Sequence, residues 1–255
     1  MLPIKHILFP VDFSERCKGA APFVNAMANR FGAKVTLIGV TPALIYATGM
    51  GEPALPVVLD EELLTADLQT RLDGAFLQDF TGVVVQRIAE IGDPAHIITD
   101  FARRQEVDLI MMPTHGYGPF RSLLLGSVTA KVLHDAECPV WTGVHMEEPP
   151  ALEHLACRGV VCAVDATPKS GKVMQWAAQL AGDTGATLRL VHAISGIEAW
   201  PERQLDREFE EAMRSDARQS IEKTQKAAGV DAPLCIAVGG APARCGMKPG
   251  ATTPI

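Results

Sequence analysis

The sequence predicts an α/β fold, a doubly wound and mostly parallel sheet, followed by a shorter second copy of the same unit. Three observations carry this. Short, branched apolar runs alternate strictly with segments whose apolar residues recur every three to four positions. Glycine and proline punctuate the junctions between them. The opening pattern then starts again 153 residues further on.

The first strand runs from Ile4 to Val11 and ends in Pro10-Val11-Asp12, with a carboxylate at its carboxyl tip. Residues 17–31 place Ala20, Phe23, Val24, Met27 and Phe31 along one side of a helix that Gly32 closes. Lys34 to Val40 is the second strand. The stretch from Thr41 to Leu59, with Gly49, Gly51, Pro53 and Pro56, is long and apolar for a connection. It either covers a ligand or partner surface or packs as a loop on its own domain. Asp60 to Phe80 reads as a helix with Leu63, Leu64, Leu68, Leu72, Phe76 and Phe80 on or near one face, and Val83 to Ile88 as the third strand. After Gly92-Asp93, Pro94 opens a helix that reaches Arg104. Val107 to Met112 is the fourth strand, Ser127 to about Asp135 a helix, and Pro139 to Val144 a short fifth strand. Five strands joined this way call for right-handed crossovers, with any ligand outside the strand carboxyl ends where the order reverses.

The loop after the fourth strand is the most informative stretch. Met112-Pro113-Thr114-His115-Gly116 is followed, nine residues later, by Gly126-Ser127-Val128-Thr129. Glycines allow close backbone approach, Ser127 is a plausible N-cap, and a helix N-terminus offers unpaired N–H groups and a positive dipole end to a phosphate. Read from spacing alone, a capped helix after a glycine loop that holds nothing is an equal alternative.

Gly116, nine residues, then Gly126-Ser127 resembles the nucleotide loop of the universal stress protein family, whose ATP-binding members carry Gly-x-x-Gly, nine residues, Gly-Ser/Thr. Pro10-Val11-Asp12-Phe13-Ser14, Val40 and Gly92-Asp93-Pro94 fall in the same order and extend the resemblance across residues 1–146. The resemblance implies strand order 3-2-1-4-5 and a nucleotide between the first and fourth strands. Asp12 and Val40 would contact the adenosine, Val11 and Met112 would line the base, and Pro10 lies beside them. Gly116, Gly126, Ser127, Val128 and Thr129 would hold the phosphates. Asp12 has a second reading, as the cap of the helix that follows. Pro113 stands where the family has its first glycine, which removes one donor and fixes one dihedral. Weakened or reshaped ATP binding follows from that. His115 either reaches a phosphate or points into solvent.

With 255 residues, 47% hydrophobic and 21% charged, the chain can bury a core in one large or two ordinary domains. The net charge of −7 sits in the first part: residues 1–150 hold 11 Lys/Arg and 18 Asp/Glu, whereas 151–255 hold 12 of each. No basic face for nucleic acid is visible. The chain start lacks the zones of a signal peptide and no apolar run has membrane-spanning length, so a cytoplasmic location is the expectation. The six cysteines form no Cys-x-x-Cys and read as reduced, mostly packing residues, Cys162 and Cys235 within strands, Cys17 within a helix and Cys138 before Pro139. Cys157 and Cys245 are left open. The seven histidines have no metal-binding spacing.

Residues 147–158 read as a linker. Gly159-Val-Val-Cys-Ala-Val-Asp165 then matches His6-Ile-Leu-Phe-Pro-Val-Asp12, and Gly185-Ala186 matches Gly32-Ala33 at the same offset. This second domain, 159–243, continues through a charged helix, roughly Pro201 to Ala228, and a strand, Leu234 to Val238, giving about three strands before an irregular tail at 244–255. It holds no phosphate loop, Asp165 is left as a relic or a helix cap, and the edge of its first strand is expected to be unpaired. A truncated or frame-shifted gene is the leading account of the tail.

The function this implies is an ATP-binding stress-response switch or carrier, with at most slow hydrolysis and magnesium or manganese as phosphate counterion. It would form a homodimer through Pro139 to Val144, without nucleic acid or membrane as partner. A nucleotide-free dimeric scaffold is the alternative. An adenylate-forming enzyme is disfavoured, since no Ser-Gly-Gly-x-Asp-Ser, His-x-Gly-His or Lys-Met-Ser-Lys-Ser sequence occurs.

Overall fold

The computed structural model describes residues 2–42, 60–114, 125–143, 155–194 and 207–238. The chain divides into two compact units, Pro3–Leu155 on one side and Ala156–Ile255 with Met1–Leu2 on the other. The stretch from 43 to 59, His115, Gly116 and the tail at 244–255 lie outside the described residues.

In the first unit β1 (His6–Val11), α1 (Glu15–Phe31), β2 (Lys34–Thr41), α2 (Glu61–Gly74), β3 (Val85–Ile91), α3 (Pro94–Arg104), β4 (Leu109–Pro113), α4 (Ser127–Asp135) and β5 (Val140–Gly143) alternate along the chain. All neighbouring strands are parallel, in the order β3-β2-β1-β4-β5 expected from the sequence. Every residue of β1 is buried because β2 and β4 flank it and helices cover both faces. One core layer gathers Leu8, Ile38, Ile98, Phe101, Ile110, Met112 and Val132, with Val40 and Val128 packed against it.

Local chemistry fixes the helix ends. The Ser14 hydroxyl accepts from the Cys17 N–H, and Gly32 at φ 65° closes α1. Asp60 caps α2, and Asp93 caps α3 with proline in the first turn. Gly39 lets α2 lie directly on β2: a Cβ there would stand 2.9 Å from Leu72 Cδ1 and 3.1 Å from Leu68 Cδ1.

One expectation fails in a revealing way. α2 stops at Gly74, where the periodicity suggested a helix to Phe80. Phe76 takes φ 56°, and the turn sets the Phe76 and Phe80 rings edge-on to Phe9, with centroids 5.9 and 6.4 Å apart. Aromatic burial against the central strand outweighs one more turn of helix.

The second unit holds β6 (Gly159–Ala163), α5 (Ser170–Thr184), β7 (Thr187–Ile194), α6 (Arg207–Ala228) and β8 (Leu234–Val238), its described strands forming a parallel sheet in the order β6-β7-β8. Its β6–β7 register begins at Gly159↔Thr187, the β1–β2 register at His6↔Lys34, which is the sequence repeat written in hydrogen bonds. Gly185 at φ 72° closes α5 as Gly32 closes α1. Met174, Leu190 and Ile221 are the fully enclosed core. The cysteine reading needs one correction. Cys17 and Cys162 are free and buried, but Cys235 is disulfide-bonded, and no Cys-x-x-Cys spacing had signalled it.

His6 ties three elements together at the amino end of the sheet. Its Nε2 lies 2.8 Å from Thr36 Oγ1 on β2 and its Nδ1 3.2 Å from the Gln105 carbonyl after α3. Burial, helped by the Lys34 charge, holds its pKa below the ordinary value of 6.5, so the folded protein keeps the ring neutral. The unfolded chain takes up the proton first, so this contribution is intact above pH 6.5 and is lost as pH falls from there toward the lowered folded value. Urea titrations should show the wild-type midpoint falling more between pH 7 and pH 5.5 than that of His6→Gln.

Candidate functional site

Strand pairing itself opens the site. β1 and β4 pair only at Ile7↔Leu109 and Leu8↔Ile110, although β1 continues to Val11 against β2 and β4 to Pro113 against β5. Beyond Leu8 and Ile110 the two strands part, at the point where the chain order reverses in the sheet. Ile110 and Thr114 donate toward β5, to the carbonyls of Pro139 and Gly143, at 3.0 Å each. By the alternation of strand backbone, position 113 therefore faces β1. Position 10 faces β4 by the same rule, since the His6 carbonyl accepts from Asp108. Both positions are proline, which has no N–H to leave unpaired where the ladder ends. In the same way Pro113 takes one backbone donor away from the crevice.

The turn after β1 is built around Asp12. Its Oδ1 accepts from the Ser14 N–H at 3.0 Å, the Ser14 hydroxyl at 2.6 Å and the Cys17 thiol at 3.0 Å. Phe13 is held at φ 61°, and the Arg71 guanidinium lies 4.3 Å above its ring. The repeat reproduces the turn: Asp165 Oδ1 accepts from the Thr167 N–H, the Thr167 hydroxyl and the Ser170 hydroxyl. These bonds hold the Asp165 carboxyl below the usual carboxylate range, Ser170 contributing most. Asp12 is therefore not the cap of α1, a position Ser14 takes; it holds that cap in place, and it is exposed at the crevice mouth.

The far side is the base of the glycine loop. The Gly126 N–H donates to the Thr114 carbonyl at 2.8 Å, the Thr114 hydroxyl to the Gly143 carbonyl at 3.1 Å, and the Thr129 hydroxyl to the Pro113 carbonyl at 3.2 Å. The loop is pinned at both ends. Thr129 is buried and turned inward. Ser127 is not the N-cap: Gly126 occupies that position at φ −69°, ψ 152°, and α4 carries no side-chain cap. Ser127 is the first helical residue, with Val128 behind it against the core.

The remaining expected residues divide. Val11 and Met112 are buried, Met112 within the core layer that includes Val132. Val40 pairs with Glu90 at the carboxyl end of β2. Asp93 accepts from Lys131 at 3.3 Å, joining the start of α3 to α4. Sequence reasoning missed Thr114, Cys17 and the Phe13–Arg71 pair. The repeat held a clue to one of them, because Cys17 and Ser170 are the same position 153 residues apart.

The sequence profile of the universal stress protein family matches residues 3–142 and 157–244. The chain belongs to that family. A universal stress protein of Thermus aquaticus is 35% identical over 138 residues, 53% of this chain and 96% of its own length. One of Methanocaldococcus jannaschii is 31% identical over 150 residues, covering 53% of this chain and 92% of its own. A solved universal stress protein of Archaeoglobus fulgidus shares the fold at 19% identity, with a TM-score of 0.64 over 94% of this chain and 80% of that one. Among the described residues no helix is long and apolar enough to cross a membrane, and no group of three His, Cys, Asp or Glu is placed to hold a metal ion.

Burial, and next to it the Asp12 charge, pushes the Cys17 thiol far above its ordinary pKa, so it stays protonated as a donor. Cys17→Ser, the residue the second copy uses, should leave the urea midpoint nearly unchanged, whereas Cys17→Val should cost about 1 kcal/mol by removing one of the three donors to Asp12 Oδ1. Mass spectrometry after iodoacetamide should find Cys17 unmodified until the protein is denatured.

Proposed function

We propose that this universal stress protein binds ATP in the crevice between β1 and β4 and acts as a cytoplasmic stress-response switch or carrier, with slow hydrolysis at most. The observation that supports this best is the parting of the two strands directly beside the start of α4, whose N-terminus no side chain caps. Asp12 and Val40 at the strand tips would meet the adenosine, with Pro10, Val11 and Met112 forming the floor. The loop with His115 and Gly116, and the helix start at Ser127, would face the phosphates. The Gly126 amide and Thr129 hydroxyl serve the loop base, so their part is to shape the cradle. Magnesium or manganese would arrive on the phosphates, since the described residues build no metal site of their own. Among the described strands β5 is the last of its sheet, and pairing through Pro139 to Val144 would make the homodimer.

A nucleotide-free scaffold is favoured by one observation, the proline at 113 where a crevice-facing amide would otherwise stand. Calorimetry separates the two readings. Gly126 has a backbone conformation open to any residue, so Gly126→Val adds bulk at the helix start without backbone strain. ATP should bind wild type, and the variant should lose at least about tenfold in affinity, roughly 1.4 kcal/mol. Absence of heat with wild type across magnesium and manganese, together with no nucleotide released from freshly purified protein, would leave the scaffold.

A further inference from the structure

We infer that the third strand of each unit carries an edge guard, a side chain from the preceding helix that takes backbone bonds an added strand would need: Gln69 on β3 and Arg214 on β8. Among the described strands, β3 ends the first sheet and β8 the second. The Val35 N–H donates to the Val84 carbonyl and the Gly92 N–H to the Thr41 carbonyl, so even-numbered positions of β3 face β2. Arg87 and Ala89 therefore turn their backbone groups outward. On β8 the Pro233 carbonyl accepts from Leu190, which by the same alternation turns Leu234 and Ile236 outward. A row of such groups is a template for pairing with another chain.

Both rows are interrupted at the same place. The Ala89 N–H donates to Gln69 Oε1 at 3.2 Å, and Gln69 Nε2 lies 3.5 Å from the Arg87 carbonyl. Those are the two groups that one residue of an added parallel strand would engage. In the second unit, Arg214 Nη1 donates to the Ile236 carbonyl at 3.2 Å. The register pairs Ala89 with Gly39 and Ile236 with His192, and positions 39 and 192 are 153 residues apart, the period of the repeat. An amide in one copy and a guanidinium in the other thus end on the outward backbone of the equivalent strand position.

Each guard is held in place by its own helix. Gly39 lets Leu68 and Leu72 settle directly on β2, which brings Gln69 over the edge beside its partner Ala89. Asp73 accepts from Gln69 Nε2 at 2.9 Å, leaving the carboxamide oxygen for the strand. From the strand side, Arg87 donates to the Leu72 and Ala75 carbonyls at 2.9 and 3.2 Å, which fastens the end of α2 along the edge. Glu210 plays the part of Asp73 for Arg214, accepting from Nη2 at 2.8 Å and from Nε at 3.3 Å while Nη1 reaches Ile236.

Gln69→Ala and Gln69→Lys in the full-length chain separate a guard from a packing bond. Both remove the acceptor of the Ala89 N–H, and only lysine charges the bare edge. In sedimentation velocity, Gln69→Ala should form concentration-dependent species larger than those of wild type, whereas Gln69→Lys should sediment as wild type does. Hydrogen exchange of the peptide spanning 85–91 should be faster in Gln69→Ala than in wild type when dilute, and should slow as concentration rises. Arg214→Ala should behave alike through the peptide spanning 234–238, with Arg214→Lys as its charged counterpart. Sedimentation of Gln69→Ala identical to wild type at every concentration would overturn the inference. So would equal association of Gln69→Lys and Gln69→Ala, which would trace it to lost stability. Association of Gln69→Ala without slowed exchange at 85–91 would place the contact elsewhere and overturn it as well. None of these readings depends on nucleotide binding.

Discussion

The structure depends on what stands beside the outer edge of the first strand in each unit. In the first unit β4 pairs with β1 for two residue positions and then leaves it. Those pairs bury β1 completely and join the two halves of the sheet. Their early end supplies the crevice. A ladder continued to the strand tips would have left no room between Val11 and Pro113, and a ladder absent altogether would have left an apolar strand in water.

The two prolines at that boundary follow from the same constraint. Pro10 and Pro113 would each cost a ladder bond in the interior of a sheet. At the parting of the strands they cost little, and they stop the ladder from closing. The turn at Asp12 is the complementary device: one carboxylate oxygen gathers a backbone amide, a hydroxyl and a thiol, which holds Phe13 in a left-handed conformation and sets the direction of α1. Its recurrence at Asp165, where Ser170 replaces Cys17, shows that the turn is a folding feature of the repeat as well as part of the crevice mouth in the first unit.

Much of this was legible in the sequence. The alternation of strands and helices, the helix opening at Pro94 and the glycine that closes α1 at position 32 follow from periodicity and turn chemistry, which act between near neighbours, and the order of strands in the sheet is the one that the family resemblance implied. What was misread involves partners far apart in sequence. The helical spacing of Phe76 and Phe80 was compatible with a longer α2 until Phe9 claimed both rings. Ser127 looked like a cap, but Gly126 takes that place because its N–H is drawn back to Thr114. Thr129 had the right chemistry for a phosphate, and the Pro113 carbonyl drew its hydroxyl inward.

By itself the sequence determined two copies of one α/β plan, a helix start after a glycine loop, and an acidic first domain with no basic face. Only the tertiary structure decided where the ladder between β1 and β4 ends, which donors at the loop base are consumed by the loop itself, and that Phe9 draws Phe76 and Phe80 out of a longer α2. The physical reason is that hydrophobic period and capping are encoded over a few residues. Strand separation and hydrogen-bond allegiance are set by competition among groups that meet only once the sheet has formed.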